Sequence, residues 1–267
     1  MAADLAKVVQ KRGAQVVLLD EDAGLVPGAK VVTTAQLGSS IDVLVVLGGD
    51  GTFLRASSLV SDHGVPVLGI NLGTLGFMTH YVLGEATTAL ESVCEDRMPI
   101  DERMRLRVGV WVKGQEVEVR NALNEAVISQ RGIARLLDLT AELDGNAVTT
   151  YKADGLILST PTGSTAYNLA AGGPILTPNL EAMVLTPICP HTFTNRPVVM
   201  RADARIVLTN DSKGPVMLTL DGQWTRELGP GESIQARKAD KPLRTFRADN
   251  TFFAILRQKL SWGERNS

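Results

Sequence analysis

The sequence is poor in aromatic residues and has no excess of positive charge. Aromatic residues make up 4% of its 267 residues, which argues against a protein that binds nucleic acid by stacking bases on aromatic rings. The formal net charge is −2, from 27 basic and 29 acidic residues. This balance leaves no electrostatic footprint for DNA, RNA or an anionic membrane surface. We therefore expect neither a nucleic-acid partner nor a membrane partner.

Long apolar runs and metal-binding clusters are also missing from the sequence. No apolar run reaches the roughly 20 residues that a transmembrane helix needs, and residues 1–7 lack the apolar core of a signal peptide. Cys94 and Cys189 form no CxxC pair, so a disulfide framework is not expected. The three histidines are dispersed and form no zinc-type cluster in the sequence. A zinc site would therefore have to be assembled from residues that are distant in the chain. We predict a cytoplasmic protein without a dedicated set of metal ligands.

The pattern of apolar residues changes near Met98-Pro99. Before this point, buried-type strands alternate with segments of helical spacing, which predicts an α/β domain over residues 1–99. After it, β-branched residues and two-residue alternation dominate, which predicts a mostly-β, sandwich-like domain over residues 100–250. The amphipathic segment 251–262 predicts a helix that packs back onto the first domain.

The beginning of the chain departs from the usual order of an α/β unit. Leu5 to Arg12 reads as a helix, and Ala14 to Leu19 reads as the first strand. Parallel α/β units usually begin on a strand. The sequence thus implies either that a first strand is missing or that another segment fills that edge of the sheet.

The most informative stretch of the first domain is Leu47-Gly-Gly-Asp-Gly-Thr-Phe-Leu-Arg55. It lies between an apolar strand and a helical segment, an arrangement in which glycines let an anion approach the backbone at a helix N-terminus. A carboxylate beside phosphates is unfavourable unless it meets a metal ion or accepts a proton from an attacking hydroxyl. Asp50 therefore indicates phosphoryl transfer, although Gly-Gly-Asp-Gly is also compatible with an ordinary tight turn.

Three other patterns are candidates for binding a polar ligand. A second glycine-rich loop, Asn71 to Phe77, follows the strand Val65 to Ile70, at the strand end where α/β sheets bind ligands. Asn124-Glu125 interrupts a strand-like run, and Thr160 to Tyr167 offers hydroxyl and backbone donors after a buried strand. Taken singly, the last two patterns are also explained by a solvent-facing strand position and a helix N-cap.

Three of these motifs occur together with three others, in order along the chain. The set consists of Gly48-Gly-Asp-Gly-Thr52, Asn124-Glu125, Asp154-Gly155, Thr160-Pro-Thr-Gly-Ser-Thr-Ala-Tyr167, Gly172-Gly-Pro-Ile175 and Pro187-Ile-Cys-Pro-His191. From about residue 10 to Trp262, the chain closely resembles the bacterial NAD kinases. The first motif is shared with diacylglycerol, sphingosine and phosphofructokinase relatives, whereas the motifs of the second half are far more specific.

The resemblance implies a fold, a reaction and a set of ligands. The fold would be a Rossmann-like, three-layer α/β domain followed by a mostly-β sandwich-like domain. The reaction would transfer the terminal phosphoryl group of ATP, or of polyphosphate, to the 2′-hydroxyl of the adenosine ribose of NAD, giving NADP. A divalent ion, Mg²⁺ or Mn²⁺, would bridge the donor phosphates. The chain would assemble into a homodimer or homotetramer, largely through the β domain.

The resemblance also assigns roles to individual residues. Asp50 would be the catalytic base and, with Gly51, would contact NAD. Asn124 and Glu125 would contact the ribose hydroxyls, and Asp154 would contact the nicotinamide amide. The contacts around adenine and ribose would be Thr162, Thr165, Ala166, Tyr167, Asn168, Leu169 and Ala170. Further NAD contacts, matched less directly, would be Arg135, Lys152 and Gln223. The donor phosphates would meet Gly48, Gly49, Gly51, Thr52 and Arg55. Arg55 is our own candidate, because it lies one turn after Asp50. The alternative is that Arg55 is a solvated residue on the exposed face of the helix.

Three rival functions follow from the same sequence. A lipid kinase of the related superfamily would share the glycine-rich motif of the first domain but would not need residues 160–167 or 187–191. A non-catalytic NAD- or NADP-binding regulator would bind NAD without turnover. An NAD-dependent dehydrogenase is disfavoured because Gly48, Gly49 and Gly51 do not have the spacing of the Rossmann fingerprint.

Overall fold

The structure is a computed structural model that describes residues 1–73, 75–130, 136–247 and 252–262. The chain divides into two compact units. The first unit contains residues 1–102 together with 243–267, and the second contains residues 103–242.

Within the described residues, the α-helices are α1 (Ala2–Gln10), α2 (Thr34–Ser40), α3 (Asp50–Ser58), α4 (Ala86–Cys94), α5 (Tyr167–Ala170) and α6 (Phe252–Leu260). The strands of the first unit are β1 (Val17–Leu19), β2 (Lys30–Val32), β3 (Leu44–Leu47), β4 (Val67–Asn71), β5 (Tyr81–Val82), β6 (Ile100–Arg103) and β19 (Leu243–Phe246). The strands of the second unit are β7 (Leu106–Val112), β8 (Gln115–Ala122), β9 (Glu125–Ser129), β10 (Leu137–Leu143), β11 (Asn146–Ala153), β12 (Gly155–Ser159), β13 (Ala182–Ile188), β14 (Val198–Arg201), β15 (Ile206–Asn210), β16 (Val216–Leu220), β17 (Trp224–Leu228) and β18 (Ser233–Lys238).

The main sheet of the first unit has the strand order β3-β4-β19-β6, and β5 also pairs with β4. Strand β4 is buried along its whole length and pairs in parallel with β3, β5 and β19. Its side chains Leu68 and Ile70 form a core with Ala89, Leu90 and Phe246. Because β3 and β4 run parallel, the two glycine-rich loops that follow them leave the sheet at the same edge.

The N-terminal segment does not extend this sheet. Strand β1, which the sequence predicts, pairs in parallel with β2 in a separate two-stranded sheet. Strand β3 lies at one end of the strand order in the main sheet. Among the described residues, then, neither β1 nor β2 takes the edge position that the sequence left open.

The main sheet contains two segments that the sequence pattern assigns to the second domain. Strand β19 lies beside β4, with Thr245 paired to Val67, and β6 is the next strand in the order. Leu243, Thr245 and Phe246 are buried there. The sequence did not indicate this placement because parallel pairing joins segments that lie far apart in the chain.

The second unit is built from two six-stranded sheets. Their strand orders are β11-β10-β15-β18-β7-β8 and β14-β13-β12-β9-β16-β17, and the pairings within both are antiparallel. One large core contains buried side chains from both sheets, among them Leu139 and Ile206 from the first sheet and Ile128, Leu158 and Leu218 from the second. The arrangement is an antiparallel β-sandwich.

The predicted fold class is confirmed: an α/β unit with a parallel sheet precedes an antiparallel β-sandwich. Within the described part of the chain, no helix is both long enough and apolar enough to cross a membrane.

Candidate active site

Asp50 lies at the point where β3 passes into α3. Gly49 is the N-cap of the helix, and Asp50 is its first residue. The backbone N–H of Phe53 donates to the carbonyl of Gly49 at 3.0 Å, which closes the first helical turn. The carboxylate therefore stands at the N-terminal, positive end of the helix dipole, where negative charge is favoured.

The carboxylate of Asp50 is held by the second glycine-rich loop. The backbone N–H of Phe77 donates to Oδ2 at 2.8 Å. Oδ1 accepts from the backbone N–H groups of Met78 at 3.0 Å and Thr79 at 3.2 Å, and from the Thr79 hydroxyl at 3.1 Å. The sequence predicted that both loops lie at the ligand-binding edge of the sheet, and in the structure they are joined through Asp50.

Two further features fix the geometry of this contact. The amide of Asn71 donates to the Thr79 hydroxyl at 2.7 Å, so that hydroxyl is oriented to donate onward to Asp50. Gly76 leaves the space that the carboxylate occupies, because a Cβ at this position would lie 2.1 Å from Oδ1 of Asp50. The loop accordingly presents donors to Asp50 and leaves no room for a side chain at residue 76.

The two carboxylate oxygens of Asp50 are not equivalent. Oδ1 accepts three hydrogen bonds, whereas Oδ2 accepts one from the described residues. A carboxylate offers about four lone-pair sites in all. Oδ2 is therefore the atom with capacity to accept a proton from a hydroxyl placed beside it.

The glycines around Asp50 differ in what they do for the fold. A Cβ at Gly48 would lie 2.7 Å from the Thr52 hydroxyl, so packing requires glycine there. A Cβ at Gly49 or Gly51 would meet no described atom within 4 Å, and neither residue has a positive φ. Neither backbone strain nor packing explains these two glycines. Neither has a Cβ that would keep a ligand at a distance from the backbone.

In the second unit, the Asn124-Glu125 pair is positioned by an aspartate from a distant turn. Asp221, between β16 and β17, accepts hydrogen bonds from the backbone N–H groups of Leu123 at 2.7 Å, Asn124 at 2.7 Å and Glu125 at 3.1 Å. Its own N–H donates to the carbonyl of Glu125 at 3.0 Å. The start of β9 is thereby tied in both directions to the β16–β17 turn.

The hydroxyl-rich loop after β12 packs against the same pair. The N–H of Thr160 donates to the carbonyl of Asn124 at 2.8 Å, and its hydroxyl donates to the carbonyl of Leu123 at 2.6 Å. A Cβ at Gly163 would lie 2.2 Å from the carbonyl oxygen of Asn124, so only glycine fits. The loop that carries Thr162 is thus fixed directly on the Asn124-Glu125 segment.

Three polar atoms of this cluster are buried without a partner. They are Oδ1 of Asn124, Oε2 of Glu125 and Oγ1 of Thr162, three of the four such side-chain atoms in the described part of the chain. Leaving a buried polar atom unpaired costs about 1–3 kcal/mol. Their grouping indicates a pocket whose hydrogen bonds are completed by a ligand.

The charge state of Glu125 is also unusual. Only 7% of the residue is exposed. Burial, with a smaller contribution from the negative charge of Asp221, raises the pKa of Glu125 to about 8. At neutral pH its carboxyl group is therefore mostly protonated, and it can donate as well as accept a hydrogen bond. Such a group suits sugar hydroxyls, which also do both.

Comparisons with known proteins identify the family. Residues 6–98 match the ATP-NAD kinase N-terminal domain, and residues 123–248 match the ATP-NAD kinase C-terminal domain. The NAD kinase of Geotalea daltonii is 49% identical over 84% of this chain and 80% of its own length. That of Syntrophotalea carbinolica is 40% identical over 99% of this chain and 94% of its own length. The chain belongs to the NAD kinase family.

Two solved structures share the fold of this NAD kinase family member. Yeast NADH kinase complexed with NADH superposes with a TM-score of 0.89 at 25% identity, covering 98% of this chain and 84% of that one. An NAD kinase from Archaeoglobus fulgidus in complex with ATP superposes with a TM-score of 0.78 at 26% identity, covering 97% and 94%. The resemblance that the sequence motifs indicated is confirmed.

Several residues predicted to contact NAD lie at the surface of the sandwich unit. Asp154 is exposed and accepts a hydrogen bond from the Gln130 amide at 3.0 Å. Lys152 is exposed and pairs with Asp138 at 3.2 Å. Gln223 follows Asp221 in the β16–β17 turn and is exposed. Arg135, the remaining predicted contact of this group, lies outside the described residues.

The helical segment after Thr162 divides into accessible and internal positions. Tyr167 and Ala170 are exposed, whereas Thr165, Ala166 and Leu169 are half-buried. Asn168 is fully buried. Its amide nitrogen donates to the carbonyls of Ser164 and Pro174, both at 3.0 Å, and its oxygen accepts from Thr186 at 2.6 Å. Asn168 anchors the helix inside this unit, and its hydrogen-bonding groups already have protein partners.

Arg55 lies on the exposed face of α3. Its guanidinium is 3.8 Å from the carboxylate of Glu21, and both side chains are more than half exposed. An ion pair of this kind contributes little to stability. Arg55 thus lies on a solvated helix face, and its contact with donor phosphates stays a prediction.

Sequence reasoning missed two residues that hold the candidate side chains in place, Thr79 beside Asp50 and Asp221 beside Asn124 and Glu125. It named the loops that contain Asn71, Gly76, Thr160 and Gly163 as ligand-binding candidates, but not the contacts that these residues make within the fold. One signal was present, because Asp221-Gly222 between two alternating strands is typical of a hairpin turn. Nothing local indicates that the side chain of a turn residue reaches back about a hundred positions in the chain.

Proposed function

We propose a division of roles for the NAD kinase reaction in this chain, with Asp50 as the general base and the Asn124, Glu125 and Thr162 cluster as the ribose-binding site. The reaction is that of the family, ATP-dependent phosphorylation of NAD to NADP. The observation that carries the assignment of Asp50 is its geometry. One oxygen is saturated by the loop 76–79, and the other, Oδ2, keeps a lone pair.

A base of this kind meets the chemical need of the reaction. A ribose hydroxyl is a poor nucleophile at neutral pH, and a positioned carboxylate that takes its proton during transfer contributes typically about 10²–10⁴-fold. The proton moves from the 2′-hydroxyl to Oδ2 of Asp50 as the new O–P bond forms. The donor's bond to its leaving phosphate breaks in the same displacement, which produces NADP and ADP.

The ribose-binding role rests on the three unpaired atoms of the sandwich unit. Sugar hydroxyls both donate and accept, so they complement the side-chain amide oxygen of Asn124, the protonated carboxyl of Glu125 and the hydroxyl of Thr162. Lys152, Asp154, Tyr167 and Gln223 stay as proposed contacts to the outer parts of NAD, since all four are exposed.

The donor phosphates are proposed to approach the backbone of Gly49 and Gly51 at the N-terminus of α3. The support is that these two positions have open space where a Cβ would stand and lie at the positive end of the helix. Gly48 and Thr52 support that turn by packing on one another. Arg55 can exchange its weak contact with Glu21 for a phosphate.

A divalent metal ion, Mg²⁺ or Mn²⁺, is part of the proposal. Across the described ranges, no three His, Cys, Asp or Glu side chains converge on a potential metal site. We propose that the ion is held mainly by the donor phosphates and water, as Mg²⁺ often is. When bound, the ion would neutralise charge that develops on the transferring phosphoryl group.

The broader assignments are also proposals. Polyphosphate as an alternative donor, NADH as an alternative acceptor, and assembly into a homodimer or homotetramer rest on family resemblance. A cytoplasmic location is supported by two exposed free thiols, Cys94 and Cys189, which suit a reducing compartment.

The experiment that tests the proposal has a binding arm and a turnover arm. Purified protein is assayed for NADP or NADPH formation from NAD or NADH, with Mg²⁺ and either ATP or polyphosphate, and NAD affinity is measured by calorimetry. We expect Asn124→Ala to weaken NAD binding about 10-fold or more, because it removes a hydrogen bond inside a buried pocket. Lys113→Ala, an exposed turn residue between β7 and β8, is the matched control. Unchanged NAD binding by Asn124→Ala would refute the ribose-binding assignment, and NAD binding by the wild type without turnover on any donor would favour the regulator.

A further inference from the structure

Asp221 makes more contacts than a turn residue needs. A hairpin turn of Asp-Gly type requires only that both residues accept a positive φ, and Asp221 and Gly222 have φ values of 52° and 67°. The carboxylate of Asp221 is not used to stabilise its own turn. It accepts three N–H groups in a row, from residues 123, 124 and 125, at 2.7–3.1 Å.

Those three N–H groups belong to the segment that presents the ligand-binding side chains. Residues 123 and 124 lie between β8 and β9, and β9 begins at Glu125. Strands β9 and β16 are paired, with Ala126 opposite Leu220, so Asp221 is placed immediately beyond the last pair. With three consecutive backbone groups bonded to one carboxylate, the backbone from which the Asn124 and Glu125 side chains extend is held in place.

The charge of Asp221 also acts on this segment. Burial raises the pKa of Asp221, while the three N–H groups and the positive charge of Arg105 oppose that rise. Arg105 is itself buried and donates to the carbonyl of Lys241 at 2.9 Å. Burial raises the pKa of Glu125 most, and the negative charge of Asp221 raises it further.

We propose that Asp221 is a positioning residue of the NAD site, whose carboxylate orients Asn124 and Glu125 through the backbone N–H groups of residues 123–125. The inference rests on the proposed ribose-binding role of Asn124 and Glu125 and adds the residue through which the fold enforces it. Asp221 does not touch substrate in this account. It acts through the backbone of residues 123–125 and through its charge.

The test replaces Asp221 with Asn. Asn has the same shape and tolerates positive φ, but it loses the charge and turns one acceptor oxygen into a donor that faces a backbone N–H group. We expect the dissociation constant for NAD to rise about 10- to 100-fold, which corresponds to the loss of a hydrogen bond to a charged group, while ATP affinity stays unchanged. Asp144→Asn is the matched control, because Asp144 also precedes glycine in a turn, has a φ of 50° and accepts one backbone N–H, from Arg205.

A pH profile separates positioning from a general structural role. In the wild type, NAD affinity should change as the pH passes through about 8, where Glu125 gives up its proton. In Asp221→Asn this change should move to lower pH, because the repelling charge is gone, and in Glu125→Gln it should be absent. A merely structural role for Asp221 would lower affinity without moving the profile.

The possible results distinguish failure of this inference from failure of the proposed function. If Asn124→Ala weakens NAD binding but Asp221→Asn binds NAD as the wild type does, the positioning role is wrong. If neither variant affects NAD binding, the ribose site itself is wrong. If Asp221→Asn does not fold, Asp221→Ser, with one small acceptor, takes its place, and wild-type affinity in that variant would equally overturn the inference.

Discussion

Replacing Glu125 with Gln tests the electrostatics of the ribose site without changing its shape. The wild-type carboxyl group has its pKa raised from the ordinary 4.5 to about 8, chiefly by burial and further by Asp221. An amide of the same size is neutral at every pH. The variant therefore keeps the packing of the protonated acid and removes its titration.

The sign and size of the effect follow from proton linkage. Above pH 4.5 the unfolded chain has lost the proton of Glu125, while the folded protein keeps it until about pH 8. The contribution of this group to stability is thus fully present below pH 4.5, decreases as pH rises, and is lost above about pH 8. An acid shifted by this amount resists ionisation by up to about 5 kcal/mol. The Gln variant should gain up to that amount relative to the wild type between pH 5 and 8.5.

The assay is urea unfolding at a series of pH values, followed by fluorescence of Trp111 and Trp224 in the sandwich unit. The quantity compared is the difference in unfolding free energy between variant and wild type, so that groups common to both cancel. Glu118→Gln is the control, because a hydrogen bond from Arg226 lowers the pKa of Glu118. Its contribution is present above pH 4.5 and lost below, which is the opposite direction. Parallel pH profiles for wild type and Glu125→Gln between pH 5 and 8.5 would show that the carboxyl group of Glu125 is not held protonated in the folded protein.

Three further predictions concern residues with one dominant role each. Gly51→Ala should raise the free energy of unfolding by up to about 1 kcal/mol, since Ala is the better helix former and its Cβ meets no described atom. The same methyl group should raise the KM for ATP, because it covers the backbone at the N-terminus of α3. An unchanged KM would contradict the donor assignment. Gly76→Ala should lower kcat by more than about 10-fold, because the added methyl would lie 2.1 Å from Oδ1 of Asp50. NAD affinity, measured by calorimetry, should stay as in the wild type. An unchanged kcat would show that the loop does not set the geometry of Asp50. Leu158→Ala should cost about 2–5 kcal/mol in urea unfolding, because Leu158 is fully buried in the sandwich core, and a loss below about 1 kcal/mol would show that the core repacks around the gap.

The strongest sequence signals were those in which local pattern and chemistry agree. The apolar strand, glycines and carboxylate at residues 44–52 gave both the strand-to-helix turn and the candidate base. The change of periodicity near Met98 gave the passage from α/β to β-sandwich. Each of these signals lies within one short stretch, and a single sequence can display it.

What the sequence could not give is the long-range part of the fold. Strand β19 joins β4 across almost 180 positions, and Asp221 binds backbone groups about a hundred positions away. Asn168 stays a predicted NAD contact, but the sequence did not indicate that its polar atoms have partners within the fold. Whether an amide faces a ligand or the interior depends on tertiary contacts that have no local pattern.

The most direct test of the central claim is the turnover of Asp50→Asn. Asn keeps the shape of Asp50 but removes the base, so we expect kcat for NADP formation from NAD, ATP and Mg²⁺ to fall by about 10²–10⁴-fold while calorimetric NAD affinity remains within a few-fold of the wild type. Asp62→Asn, in the short 3-10 helix Ser61–His63 that follows α3, serves as the matched control and should retain full turnover. Near-normal kcat in Asp50→Asn would contradict the account and remove Asp50 as the base.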